Sequence, residues 1–246
     1  MSSIKITIQP PVIAHRGASY IAPENTLASF RKAKEQGATW VEFDVMLSAD
    51  NEIVVIHDET LDRTTNGKGL VIDYPYSYLK TLDAGSWFDS AFSNQHIPTL
   101  IEVIHLLNEL NLSANVEIKA QIGKEELTVK KVLDILDVYW NNKNQVLISS
   151  FSLVILNLVR QYSKERALGF LMDEWDDQWE AVCDRLNCIT VNVNNGILNP
   201  ENVALIKKSQ RLLLAYTVND SVRAKELFSW GVDGVFSDVV KLLPAM

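Results

Sequence analysis

Glu42 and Asp44 stand two residues apart in the apolar run Trp40-Val41-Glu42-Phe43-Asp44-Val45. In an extended strand that spacing puts both carboxylates on one face. Two acids on an otherwise apolar strand need compensation, because burial penalises their charged forms and they repel each other. Hard oxygen donors this close together suit Mg²⁺ or Ca²⁺; the plainer alternative is the solvated face of an alternating strand. Glu117 and Lys119 repeat the spacing in Asn115-Val116-Glu117-Ile118-Lys119. There the carboxylate can complete a three-acid set for one divalent cation, and the ammonium can reach an anion held by the same cation. The alternative is a structural ion pair inside the fold.

His15-Arg16-Gly17 sets a proton carrier beside a planar charged fork suited to phosphate. Consecutive strand residues point to opposite faces, and Gly17 allows the turn that lets both side chains face one way. His57-Asp58 supplies a second imidazole. Two imidazoles across one phosphorus allow one to take a proton from the nucleophile while the other protonates the leaving alkoxide. A lone histidine at a strand end is ordinarily structural, so this chemistry requires the groups to converge. His96 and His105 fall in a loop-like stretch and on a helical pattern, and both read as structural.

Convergence requires strands, and the sequence supplies them. Short β-branched runs alternate with helical periodicity: Val12 to His15, Trp40 to Val45, Ala114 to Lys119, Gln145 to Ser150, Ala167 to Met172, Cys188 to Val193, Leu212 to Val218 and Asp233 to Ser237. Helical patterns begin near Glu24, Thr99, Lys124, Ser152, Trp175, Pro200, Ser221 and Asp238, several at a Ser, Thr or Pro suited to a helix start. Eight strand and helix pairs predict an α/β fold, one (β/α)8 TIM barrel over residues 1–246, with an insertion at about 59–98. The extra run Ile53 to His57 follows the second strand too closely for a crossover helix, so Val41 to His57 reads as a hairpin returning His57 towards Glu42 and Asp44. The excursion from Glu59 to Pro98 then lies over the face where βα loops gather. Its aromatics Tyr74, Tyr76, Tyr78, Trp87 and Phe88 either pack a small subcore or line a substrate wall. Trp175 and Trp179, four apart, read as helix packing.

With 47% hydrophobic and 22% charged residues among 246, the chain has ample side chain for a core, which excludes disorder. A net charge of −8 gives no general attraction to nucleic acid or an anionic membrane, so phosphate recognition must come from a few local cations. The sequence shows no leader pattern and no apolar run long enough to span a bilayer. Two closely spaced cysteines, Cys183 and Cys188, are no disulfide framework, and a reducing cytoplasm is expected. The expected partner is a small molecule; a homodimer is compatible with everything above.

Together, His15-Arg16-Gly17, Pro23-Glu24-Asn25-Thr26, Glu42-x-Asp44, His57-Asp58 and Glu117-x-Lys119 closely resemble the glycerophosphodiester phosphodiesterase family. The likeness continues in order through Gly85-Ser86-Trp87-Phe88, Ile97-Pro98-Thr99-Leu100, Tyr216-Thr217-Val218-Asn219 and Gly231-Val232-Asp233-Gly234. The resemblance implies a barrel with an insertion after its second strand. It also implies hydrolysis of substrates such as glycerophosphocholine or glycerophosphoethanolamine to sn-glycerol 3-phosphate and an alcohol, within lipid and glycerol metabolism. Carried over by position, Glu42, Asp44 and Glu117 look like ligands of one Mg²⁺ or Ca²⁺, His15 and His57 like the acid and base, and Arg16 and Lys119 like phosphate contacts. Glu24 would favour a helix start and orient Arg16, and Asn25-Thr26 would cap a helix. Tyr216 stands where the family often has Trp, which bears on the alcohol accepted. Rival readings are a phospholipase D-like barrel acting on a lysolipid or sphingolipid phosphodiester, a metal-dependent lyase or isomerase, and a barrel that binds ligand without turnover.

Overall fold

The computed structural model describes residues 6–119, 121–141 and 145–241. The strands are β1 (Val12–Ala14), β2 (Trp40–Leu47), β3 (Ile53–Val55), β4 (Ser113–Ile118), β5 (Val146–Ser150), β6 (Ala167–Met172), β7 (Thr190–Asn194), β8 (Leu212–Tyr216) and β9 (Gly234–Ser237). All except β3 run parallel, and β1 pairs with both β9 and β2, which closes an eight-stranded barrel. The helices are α1 (Leu27–Glu35), α2 (Tyr76–Leu79), α3 (Leu100–Leu110), α4 (Glu125–Tyr139), α5 (Leu153–Tyr162), α6 (Trp179–Leu186), α7 (Pro200–Lys208) and α8 (Ser221–Trp230). This is the expected TIM barrel. Among the described residues no helix is long and apolar enough to cross a membrane.

Strand alternation decides which side chains reach the interior. Val41, Phe43, Val45, Val116 and Ile118 join the main core with helix residues such as Val103, Leu107 and Val132. The opposite parity carries Trp40 into a second cluster with Ile13, Leu147, Leu214 and Phe236. That parity, two and four residues further along β2, fixes Glu42 and Asp44 above this apolar floor, towards the strand C-termini.

The expected hairpin forms, and β1 explains why. This three-residue strand meets β2 at Ala14 opposite Val41, leaving the upper edge of β2 open on that side. Antiparallel β3 fills it, with Val45 opposite Val55 and Leu47 opposite Ile53. Asn51 turns the chain in the left-handed region (φ 62°), and the Ile56 N–H donates to the Asp44 carbonyl at 3.1 Å, so the next residue, His57, arrives beside the acids. The excursion packs on the outside of this hairpin: Leu61, Val71, Leu79, Leu82 and Ile97 close a subcore with Met46, Val54 and Ile56. Tyr74 and Tyr76 pack against the subcore, whereas Phe88 lines an open cleft beside the barrel mouth.

Three helix starts differ from expectation. α1 begins at Leu27, because Thr26 caps it by accepting from the Ser29 N–H while Asn25 is drawn elsewhere. α6 begins at Trp179, so Trp175 meets it edge-on from the preceding loop, with centroids 6.5 Å apart. No helix starts at Asp238 among the described residues, because its backbone and carboxylate are engaged by Asn219, Ser19 and His15; residues 242–246 lie outside the described residues.

Gly85 packs tightly within the excursion, since a Cβ there would overlap the Phe92 carbonyl. Gly85→Ala must displace the turn carrying Phe88 and is expected to cost about 1–3 kcal/mol, read from urea unfolding; an unchanged midpoint would contradict this packing.

Candidate active site

At the end of β1 the chain turns sharply: Arg16 and Gly17 both lie in the left-handed region (φ 55° and 83°). The turn brings His15 and Arg16 to the same cavity, as the glycine suggested, and a side chain at Gly17 would collide with Ser29 of α1. A left-handed arginine is strained, and local bonds hold it. Its N–H donates to Glu42 Oε2 at 2.9 Å and its carbonyl accepts from the Ser29 hydroxyl at 2.9 Å. The guanidinium donates through Nη1 to Glu24 Oε1 at 2.8 Å, while buried Nε, 3.7 Å from Asp44 Oδ2, makes no hydrogen bond among the described residues.

Glu42, Asp44 and Glu117 converge from β2 and β4, with one oxygen from each lying within 4.8 Å of the others. The register that sets Asp44 beside Glu117 brings them together, although 73 positions separate them in the chain. Their surroundings are unequal. Burial pushes Asp44 upward, yet Lys119 at 3.3 Å, Arg16 and an amide donated by Asn25 at 2.9 Å hold it below the usual carboxylate range. Burial, reinforced by Asp44 and Glu117, raises Glu42 well above it. Glu117 is pushed up to about 7 by burial and Asp44, against its bond from Lys119 at 2.9 Å. Three carboxylates stand against two cations, and the donors are hard oxygens. Such a set is compatible with a divalent cation.

The two histidines border the same cavity, about 220 Å³ in volume, together with Arg16, Glu42, Glu117 and Lys119. Each is oriented by a carboxylate: Nδ1 of His15 lies 2.7 Å from Asp238 Oδ1, and Nδ1 of His57 lies 2.6 Å from Asp58 Oδ1. With Nδ1 donating to an anion, the free nitrogen of each ring is Nε2. Burial, with Arg16 and Lys119 nearby, lowers His57 against the pull of Asp44. The far wall is apolar, made by Phe151, Leu171, Tyr216 and Phe236, with Tyr216 edge-on to Phe151.

Residues 15–242 match the profile of the glycerophosphoryl diester phosphodiesterase family. A glycerophosphodiester phosphodiesterase of Caldanaerobacter subterraneus subsp. tengcongensis is 37% identical over 232 residues, covering 92% of this chain and 93% of its own. This chain belongs to that family. It is therefore an enzyme of the glycerophosphodiester phosphodiesterase type. A Bacillus subtilis glycerophosphodiester phosphodiesterase is 34% identical over 92% of this chain and 82% of its own. Among solved structures, a phosphodiesterase of Oleispira antarctica in complex with the product sn-glycerol 3-phosphate matches with TM-score 0.93 and 38% identity over 95% of both chains.

All seven residues singled out in the sequence of this enzyme, His15, Arg16, Glu42, Asp44, His57, Glu117 and Lys119, gather at one mouth. His96 and His105 stay apart from it, beside Glu102 and Tyr139. Thr26 is the expected cap, but Asn25 departs from that role by bonding Asp44. Glu24 does orient Arg16, and it also joins Arg63, which in turn grips Asp58 behind His57. Asp238 had no signal beyond its position after the last strand, the level at which barrel sites lie.

The Asp238 pair makes a stability prediction. Burial raises this carboxyl, but bonds from His15, Asn219 and Ser19 bring it down to about 2, from 3.8 in a free chain. A lowered folded value means that the contribution is complete above the free-chain value and fades as pH falls through the folded one. Asp238→Asn is expected to lose about 2 kcal/mol at pH 7, with the difference from wild type narrowing between pH 5 and pH 3 in urea unfolding. A difference that widens on acidification would contradict the pairing.

Proposed function

We propose that this barrel hydrolyses glycerophosphodiesters such as glycerophosphocholine or glycerophosphoethanolamine to sn-glycerol 3-phosphate and an alcohol, with His15 and His57 as acid and base. The observation carrying the reading is the meeting of three carboxylates, two cations and two carboxylate-oriented imidazoles around one small cavity. Glu42, Asp44 and Glu117 would hold one divalent cation, whose chemistry is to neutralise charge developing on the phosphoryl oxygens.

Arg16 offers its guanidinium, and Lys119 its ammonium, to the phosphate, fixing it over the acids. His15 borders both the inner cavity and the open cleft of about 460 Å³ lined by Tyr20, Phe88 and Asn219, whereas His57 does not line that cleft. The leaving alcohol fits the cleft and takes its proton from His15. The glycerol unit fits the cavity, where His57 takes the proton of the attacking group. That group is water or the glycerol 2-hydroxyl, and trapping of a cyclic phosphate distinguishes them.

Release of sn-glycerol 3-phosphate from several glycerophosphodiesters, with and without Mg²⁺ or Ca²⁺, is the direct assay. EDTA is expected to abolish turnover and either cation to restore it; full activity in metal-free buffer would overturn the carboxylate assignment. His15→Ala and His57→Ala should each lower kcat about 10²-fold or more while circular dichroism shows the barrel still folded. Undiminished turnover in both would remove them from the chemistry.

A further inference from the structure

Among the described residues, one buried hydrogen-bond acceptor on a side chain lining the cavity is left over. Asn115 lies on β4 opposite Glu42 on one side and Leu147 on the other, and it is 1% exposed. Its Nδ2 donates to the Ser149 hydroxyl on β5 at 2.9 Å. Its Oδ1 has no hydrogen-bond partner among the described residues, although the side chain lines the cavity. A buried amide oxygen left unpaired is costly, and such a group calls for a reason. Two other buried polar atoms share the condition: Arg16 Nε faces Asp44, and Asn192 does not line the cavity.

The chemistry of the missing partner is narrow. A carbonyl oxygen only accepts, so the partner must bring an N–H or O–H. A phosphodiester anion has no proton to give, and its charge is answered by Arg16 and Lys119, not by an amide oxygen near the carboxylates Glu42 and Glu117. A cationic head group would be drawn to those carboxylates, not to a neutral amide. The facing wall of Phe151, Leu171 and Tyr216 accommodates carbon. A small neutral polyol fragment satisfies all of these at once.

We infer that Asn115 Oδ1 accepts a hydrogen bond from a hydroxyl of the glycerol unit, making Asn115 a specificity-determining residue that selects glycerol esters over plain alkyl esters. The inference rests on the proposed reaction, but its test is a binding measurement and needs no turnover. Calorimetry with sn-glycerol 3-phosphate, propyl phosphate and inorganic phosphate would be run on the wild type, Asn115→Ala and Asn115→Ser. The serine variant keeps a small polar group beside Ser149, and unfolding midpoints establish that the variants are folded. Wild type should bind sn-glycerol 3-phosphate on the order of 10-fold more tightly than propyl phosphate. Both variants should lose that preference while propyl phosphate and phosphate bind within about 2-fold of wild type.

Equal weakening of all three ligands, or a preference that survives in folded variants, would overturn the inference and leave Asn115 to an ordered water. A wild type that prefers sn-glycerol 3-phosphate yet releases none from glycerophosphodiesters would defeat the catalytic reading and leave this one standing.

Discussion

Glu42, Asp44 and Glu117 sit inside a closed barrel with oxygens within 4.8 Å of one another, and two ion-paired cations, Arg16 and Lys119, answer them. Neighbouring buried like charges are held together only by a structure that is costly to rearrange. Much of the mouth is built around that condition. Arg16 is bent into a left-handed turn that delivers its own N–H to Glu42, Asn25 gives its amide to Asp44, and Lys119 spans Asp44 and Glu117. The division of these partners holds Asp44 low and leaves Glu42 and Glu117 raised.

The same constraint shapes the elements around the mouth. A short β1 frees the edge of β2, β3 occupies it, and His57 is returned to the acids. A hairpin projecting beyond a barrel has an outer face to cover, and the subcore of the excursion covers it. Its polar side supplies Arg63, which ties Asp58 to Glu24 and so links the supports of His57 and Arg16. The two imidazoles thus come from different loops of the chain, yet each is fixed by a carboxylate on Nδ1, which leaves Nε2 as the free ring nitrogen.

Polar and apolar surfaces divide the space between them. Charge occupies the side made by β1, β2 and β4, and the carbon wall comes from Phe151, Leu171, Tyr216 and Phe236, in or after β5, β6, β8 and β9. A low-dielectric wall strengthens the field of the charges opposite.

Much of this was legible along the chain. Alternation within Trp40 to Val45 and within Asn115 to Lys119 sets which carboxylates share a face, because strand parity is a local property. The count of β and α segments gave the barrel, and the short gap before Ile53 gave the hairpin. The order of motifs gave the family. What the chain could not state was which distant side chain completes each local pair. Asn25 reads as a cap until Asp44 is placed above it. Asp238 reads as the start of a last helix until barrel closure sets β9 beside β1 and brings it to His15. The orphan oxygen of Asn115 exists only once Ser149 has taken its other end. The residue types and their spacing are written in the sequence; the partners are chosen by register and closure, which bring together groups that no local rule connects.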